Sequence, residues 1–189
     1  MAEIVLFHHV QGLTPGVTSF AGALRAAGHT VHTPDLFEGK TFGTIDEGLV
    51  HVRSIGFEAV VQRGMAAAAS LPEQMVYAGM SLGVMPAQIL AGTRPEARGA
   101  LLLHGCLPLE ATGGVWPDAV PVQIHAMEDD PWMEEDLDNA KTLATFAKRA
   151  ELFLYPGNRH LFTDSSSADH DPRATQELLA RALRFLGDT

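Results

Sequence analysis

The sequence is short of cysteine, of positive charge and of long apolar runs, and each shortage removes a class of protein. A single cysteine, Cys106, permits no intrachain disulfide and supplies too few thiolates for a cysteine-based metal site. Thirteen Lys and Arg stand against 23 Asp and Glu, a formal charge of −10. Such a chain lacks the basic stripe that phosphate backbones require, so neither nucleic acid nor an anionic membrane is expected as a partner. No apolar run approaches the ~20 residues needed to span a bilayer. The amino terminus, MAEIVLFHHV, carries an acid where a secretion leader carries positive charge, and the expected location is cytoplasmic. No G-x-G-x-x-G follows the first apolar run and no G-x-x-x-x-G-K-[S/T] occurs, which argues against a nucleotide-phosphate site.

What is present is enough for one core. With 189 residues and 46% hydrophobic content, residues 1–189 are expected to form a single domain that buries roughly 70% of its unfolded surface. Short apolar runs recur at Ile4–His8, Thr30–Thr33, Met75–Ala78, Ala100–His104, Val122–His125 and Leu152–Tyr155. Helical patterns separate them: a Phe20, Leu24 and Ala27 face ending at Gly28, Val50–Ala69 broken near Gly56, Leu82–Ala91, Glu134–Lys148 and Pro172–Leu186 behind Asp171. Continuous rather than alternating apolar strands are buried on both faces, which predicts an α/β fold: about six mostly parallel strands with helices on both faces. In such sheets ligands bind beyond the carboxyl ends of the strands.

The strand ends carry the chemistry. Met75–Ala78 runs into Gly79-Met-Ser-Leu-Gly83, a G-x-S-x-G in strand-turn-helix context that lifts the Ser81 hydroxyl above the sheet and aims the Leu82 amide beside it. A serine nucleophile needs a base and an orienting acid, which in this turn type come later in the chain in the order acid, then histidine. His160 comes after the last strand as candidate base. Asp130 comes after the fifth as candidate acid, with the adjacent Asp129 as the alternative. A second oxyanion donor belongs in the loop after the first strand, where the Val10 amide is the candidate; His9 and Gln11 either line the pocket or satisfy loop hydrogen bonds.

Other features read as structural. Seven acids between Glu128 and Asp138 match no calcium loop and complement the dipole of the helix at Glu134, while one of them serves the triad. His29 and His32 point to opposite faces of a strand and do not suggest zinc, Cys106 reads as a small packing residue, and no metal site or cofactor is expected. The segment Thr163–Asp171 reads equally as a mobile flap or as a solvated loop.

With these residues placed, the sequence resembles the dienelactone hydrolase family of α/β-hydrolases. The resemblance is carried by Ile4–Gly12, Thr33–Gly39 with its Pro34-Asp35-Leu36, Gly79–Gly83, Glu128-Asp-Asp-Pro-Trp132 and His160-Leu-Phe162. It implies a minimal α/β-hydrolase fold, a triad of Ser81, His160 and Asp130, and oxyanion amides at Val10 and Leu82; Asp35 joins His9 and Gln11 as a candidate substrate-binding residue. Three positions depart from the family: Ser81 stands where founding members place cysteine, His9 replaces an acid, and Asp164 stands where a carboxylate-binding arginine is found. The expectation is therefore a serine hydrolase for a small, uncharged ester or thioester, with an open site because only a short segment joins Leu103 to Pro121 and leaves no room for a helical lid. The alternative is a non-catalytic protein of this fold that binds a small ligand. A homo-oligomer is compatible with the sequence but not readable from it.

Overall fold

A computed structural model describes residues Met1–Thr189. Six strands form one sheet in the order β2-β1-β3-β4-β5-β6, with every neighbouring pair parallel. They are β1 (Glu3–Phe7), β2 (Thr30–His32), β3 (Val76–Met80), β4 (Gly99–Leu103), β5 (Val122–Met127) and β6 (Ala150–Tyr155). The helices are α1 (Pro15–Ala26), α2 (Ile45–Ile55), α3 (Phe57–Ala69), α4 (Val84–Thr93), α5 (Glu134–Phe146) and α6 (Pro172–Gly187). None is long and apolar enough to cross a membrane.

Alternation along each strand splits the core in two. Val5, Phe7, Tyr77, Leu102, Val122 and Ile124 face a cluster completed from α2 to α5, whereas Ile4, Leu6, Val76, Ala78, Leu101 and Leu103 face one completed by α1 and α6. Burial of both faces is why the strands read as continuous apolar runs, and each such Val, Leu or Phe contributes about 1.5–3 kcal/mol. At the β6 edge the guanidinium of Arg181 covers the rings of Phe153 and Tyr155, at 4.3 and 5.0 Å.

Two helices begin where local chemistry dictates rather than where apolar periodicity does. The expected start at Val50 is wrong: α2 begins at Ile45, because Thr44 and Glu47 form a reciprocal capping box on its first turn. The helix expected from Leu82 is a 3-10 turn over Ser81–Gly83 that becomes α-helical at Val84. Segment 163–171 is anchored at its two ends, where Thr163 and Asp164 are buried and the Asp171 amide donates to Phe162 O, and is exposed at Ser165, Ser166 and Ala168 between them.

Candidate active site

Strand register brings the candidate residues to one rim. Leu6 pairs with Ala78, Met80 with Leu103, Leu103 with His125 and Met127 with Tyr155, so the loops leaving β1, β3, β4, β5 and β6 emerge on the same side of the sheet. Between β3 and α4 the chain reverses so sharply that Ser81 takes φ 47°, a left-handed conformation costing about 1–3 kcal/mol that its surroundings impose. A Cβ on Gly79 would lie 2.2 Å from Gly83 O, and one on Gly83 would lie 2.3 Å from Phe7 O, so backbone contact on both sides demands glycine.

Ser81 Oγ lies 2.7 Å from His160 Nε2, and His160 Nδ1 lies 2.7 Å from Asp130 Oδ2. Asp130 is buried and its other oxygen accepts from the Trp132 amide at 2.9 Å, whereas Asp129 is exposed and makes no such contact. The loops carrying acid and histidine are stitched together: Glu128 N donates to Tyr155 O and Asp129 N to Gly157 O. In the loop after β1, the buried Val10 N–H donates to no acceptor within the protein.

A cleft of about 300 Å³ opens onto Ser81 and His160. Its walls are largely apolar, with Ile45 and Leu49 of α2, Phe57 of α3, Met85 of α4 and Leu107 and Trp132 from the loops. Somewhat larger clefts lie at the opposite, amino-terminal rim around Arg149 and Thr189, remote from any of these groups.

Three expected pocket residues are not in it. His9 is buried away from the cleft, with Nε2 2.7 Å from Asp164 Oδ2 and Nδ1 accepting from the Gln11 amide at 3.2 Å. Gln11 is also buried, and its carbonyl accepts from Phe42 N at the outer side of the loop. Asp35 serves its own turn, one oxygen accepting from Phe37 N and the other from Gly39 N. Asp164, one of the three positions that depart from the family, is fully buried. Burial opposes its ionisation, but hydrogen bonds from His9, Ser166 and Thr14 outweigh that and hold the carboxyl well below its usual range.

Three residues with little sequence signal do line the cleft. His104 comes directly after β4 with φ 60°; Nε2 lies 2.7 Å from Thr163 Oγ1 while Nδ1 is buried without a partner. Burial first, then the neighbouring histidines, lower its pKa well below the usual value, so a neutral imidazole packs beside His160. Cys106 is a packing residue, as expected, and burial together with Asp136 pushes its thiol up to about 12. Asp136, in the first turn of α5, accepts from Cys106 N at 3.1 Å. Its place after Asp130 was legible; its position in the wall of the cleft was not.

Over residues 1–189 the sequence matches the dienelactone hydrolase family. The chain belongs to that family. It is therefore a hydrolase. As a dienelactone hydrolase family member it shares its fold with a dienelactone hydrolase-like promiscuous phosphotriesterase from metagenomic libraries, at TM-score 0.78 and 16% identity over 100% of this chain and 86% of that one. A cold-adapted esterase from an Arctic intertidal metagenomic library matches at TM-score 0.63 and 18% identity, over 99% of this chain and 82% of that one. No curated protein matches it in sequence.

Proposed function

We propose that residues 1–189 form one serine hydrolase domain that cleaves a small ester or thioester through an acyl-enzyme on Ser81. The observation that carries this reading is the pair of 2.7 Å contacts linking Ser81 to His160 and His160 to Asp130. His160 Nε2 takes the Ser81 proton as Oγ attacks the carbonyl carbon, and the carbonyl π electrons move to oxygen. The resulting oxyanion is met by the Leu82 amide and by the unused Val10 N–H. When the tetrahedral intermediate collapses, His160 returns the proton to the departing alcohol or thiol. Water then attacks the acyl-enzyme by the same route, leaving free acid and Ser81 restored. Asp130 keeps the Nδ1 proton in place and stabilises the imidazolium. No cofactor enters these steps.

Cys106 does not compete for the nucleophile's role, because its thiol is held protonated at neutral pH. The apolar walls favour an acyl group of modest size. A fluorophosphonate probe tests the reading: the expected result is covalent labelling at Ser81, lost in Ser81→Ala and slowed in His160→Ala. A folded wild-type protein that takes up no label would refute it.

A further inference from the structure

Nothing in the triad requires an acid at position 136, yet Asp136 lines the cleft beside Ser81 and His160. Its Oδ2 accepts from the Cys106 amide at 3.1 Å, and Oδ1 has no hydrogen-bond partner in the protein. The carboxylate lies near the backbone of Ser81. A Cβ on Gly105 would lie 3.3 Å from Ser81 O and 3.4 Å from Asp136 Oδ2, so both border one small volume. Trp132, 46% exposed, lines the same cleft, its ring centroid 6.1 Å from that of His160.

Compensating positive charge is missing. No Lys or Arg lines the cleft, and none occurs between Arg98 and Lys141. Arg159, adjacent to His160, is turned away to the carbonyl of His170 at 2.6 Å. Five further acids, Glu128, Asp129, Glu134, Glu135 and Asp138, flank this stretch together with the triad's Asp130. The charge carried by this stretch of chain is therefore negative, which favours cations over anions near it.

We propose that the cleft selects esters whose acyl chain ends in an ammonium group, with the Asp136 carboxylate as counter-charge and the Trp132 ring as an aromatic wall. A carboxylate oxygen without a partner and an indole ring lining one otherwise largely apolar cleft are the chemistry that recognises alkylated ammonium groups. Hydrophobic lining accommodates the methylenes and N-methyl groups, while the carboxylate rejects a terminal carboxylate by like-charge repulsion. The inference rests on the serine-hydrolase reading.

Three matched p-nitrophenyl esters test it: 4-(trimethylammonio)butanoate, its uncharged carbon isostere 5,5-dimethylhexanoate, and the glutarate monoester. For the wild type, kcat/KM is expected to be about tenfold higher for the cationic ester than for the isostere, and lowest for the glutarate ester. In Asp136→Asn, whose amide oxygen still accepts from Cys106 N, the cation-to-isostere ratio should fall to about two or below. The wild type gives a second readout that does not depend on the variant folding. Raising ionic strength from 0.01 to 1 M shortens the screening length from about 30 to 3 Å, and should erode the ratio. Hydrolysis of the isostere with a ratio at or below one, or a ratio unmoved by both Asp136→Asn and salt, overturns ammonium selection and leaves the hydrolase reading standing. Hydrolysis of none of the three overturns ammonium selection alone if fluorophosphonate still labels Ser81, and overturns both readings if it does not.

Discussion

Asp164→Asn is expected to destabilise the protein by about 3–5 kcal/mol at neutral pH, the magnitude for removing one member of a buried hydrogen-bonded pair. Four donors converge on the fully buried Asp164 carboxylate. Oδ1 accepts from Ser166 N at 2.7 Å and Ser166 Oγ at 2.6 Å, while Oδ2 accepts from His9 Nε2 at 2.7 Å and Thr14 Oγ1 at 2.5 Å. His9 is fixed as a donor here, because its other nitrogen accepts from the Gln11 amide. Asparagine puts an NH2 where two of these donors point, so at least two buried groups lose their acceptor and a donor meets donors. For a chain of this length the loss corresponds to a fall in Tm of about 6–20 °C. The pH dependence fixes the cause. A carboxyl whose folded pKa lies below its unfolded value of about 3.9 contributes fully above that value, and the contribution is lost as pH falls toward the folded one. Urea unfolding monitored by circular dichroism should therefore show the gap between wild type and Asp164→Asn at full size from pH 5 to pH 7, narrowing below about pH 4. A gap under about 1 kcal/mol, or one that keeps its size down to pH 2.5, would refute the reasoning.

Asp130→Asn leaves His160 free to hold the wrong tautomer and should lower kcat about 10⁴-fold on a reactive ester, while Asp129→Asn costs less than threefold; comparable losses would move the acid's role. Gly79→Ala drives a Cβ to 2.2 Å from Gly83 O, and should reduce urea stability by more than about 2 kcal/mol and fluorophosphonate labelling by at least tenfold; an unchanged midpoint would show that the turn can relax. Burial lowers His8 to about 4, and burial with Arg181 lowers His125 to about 3. Both therefore take up protons on unfolding below about pH 6.5, and stability should fall with acidification from pH 6.5 to 4.5 by up to about 1.4 kcal/mol per pH unit for each histidine. A midpoint that stays flat over that range would contradict their neutral burial.

Strand runs, their burial on both faces and the glycine-flanked serine are properties of consecutive residues, and those parts of the fold were legible. The helix at Ile45 was also signalled locally, by Thr44 and Glu47, although apolar spacing alone pointed to Val50. For His9 and Gln11 the sequence left pocket lining and loop hydrogen bonding open, and Asp35 was a pocket candidate by resemblance alone, because a polar residue just past a strand end is equally apt to line a site or to hold its loops. His9 and Asp164 are 155 residues apart in the chain, and no local pattern announces that they meet. The sequence by itself determined the sheet, the rim and the order of serine, acid and histidine, because periods of 2 and 3.6 residues and turn chemistry act over a few positions. Tertiary structure alone decided which acid reaches His160, which histidine stays neutral beside it and which carboxylate looks into the cleft. Those outcomes depend on strand register and burial, which convert distant positions into contacts a few ångströms long.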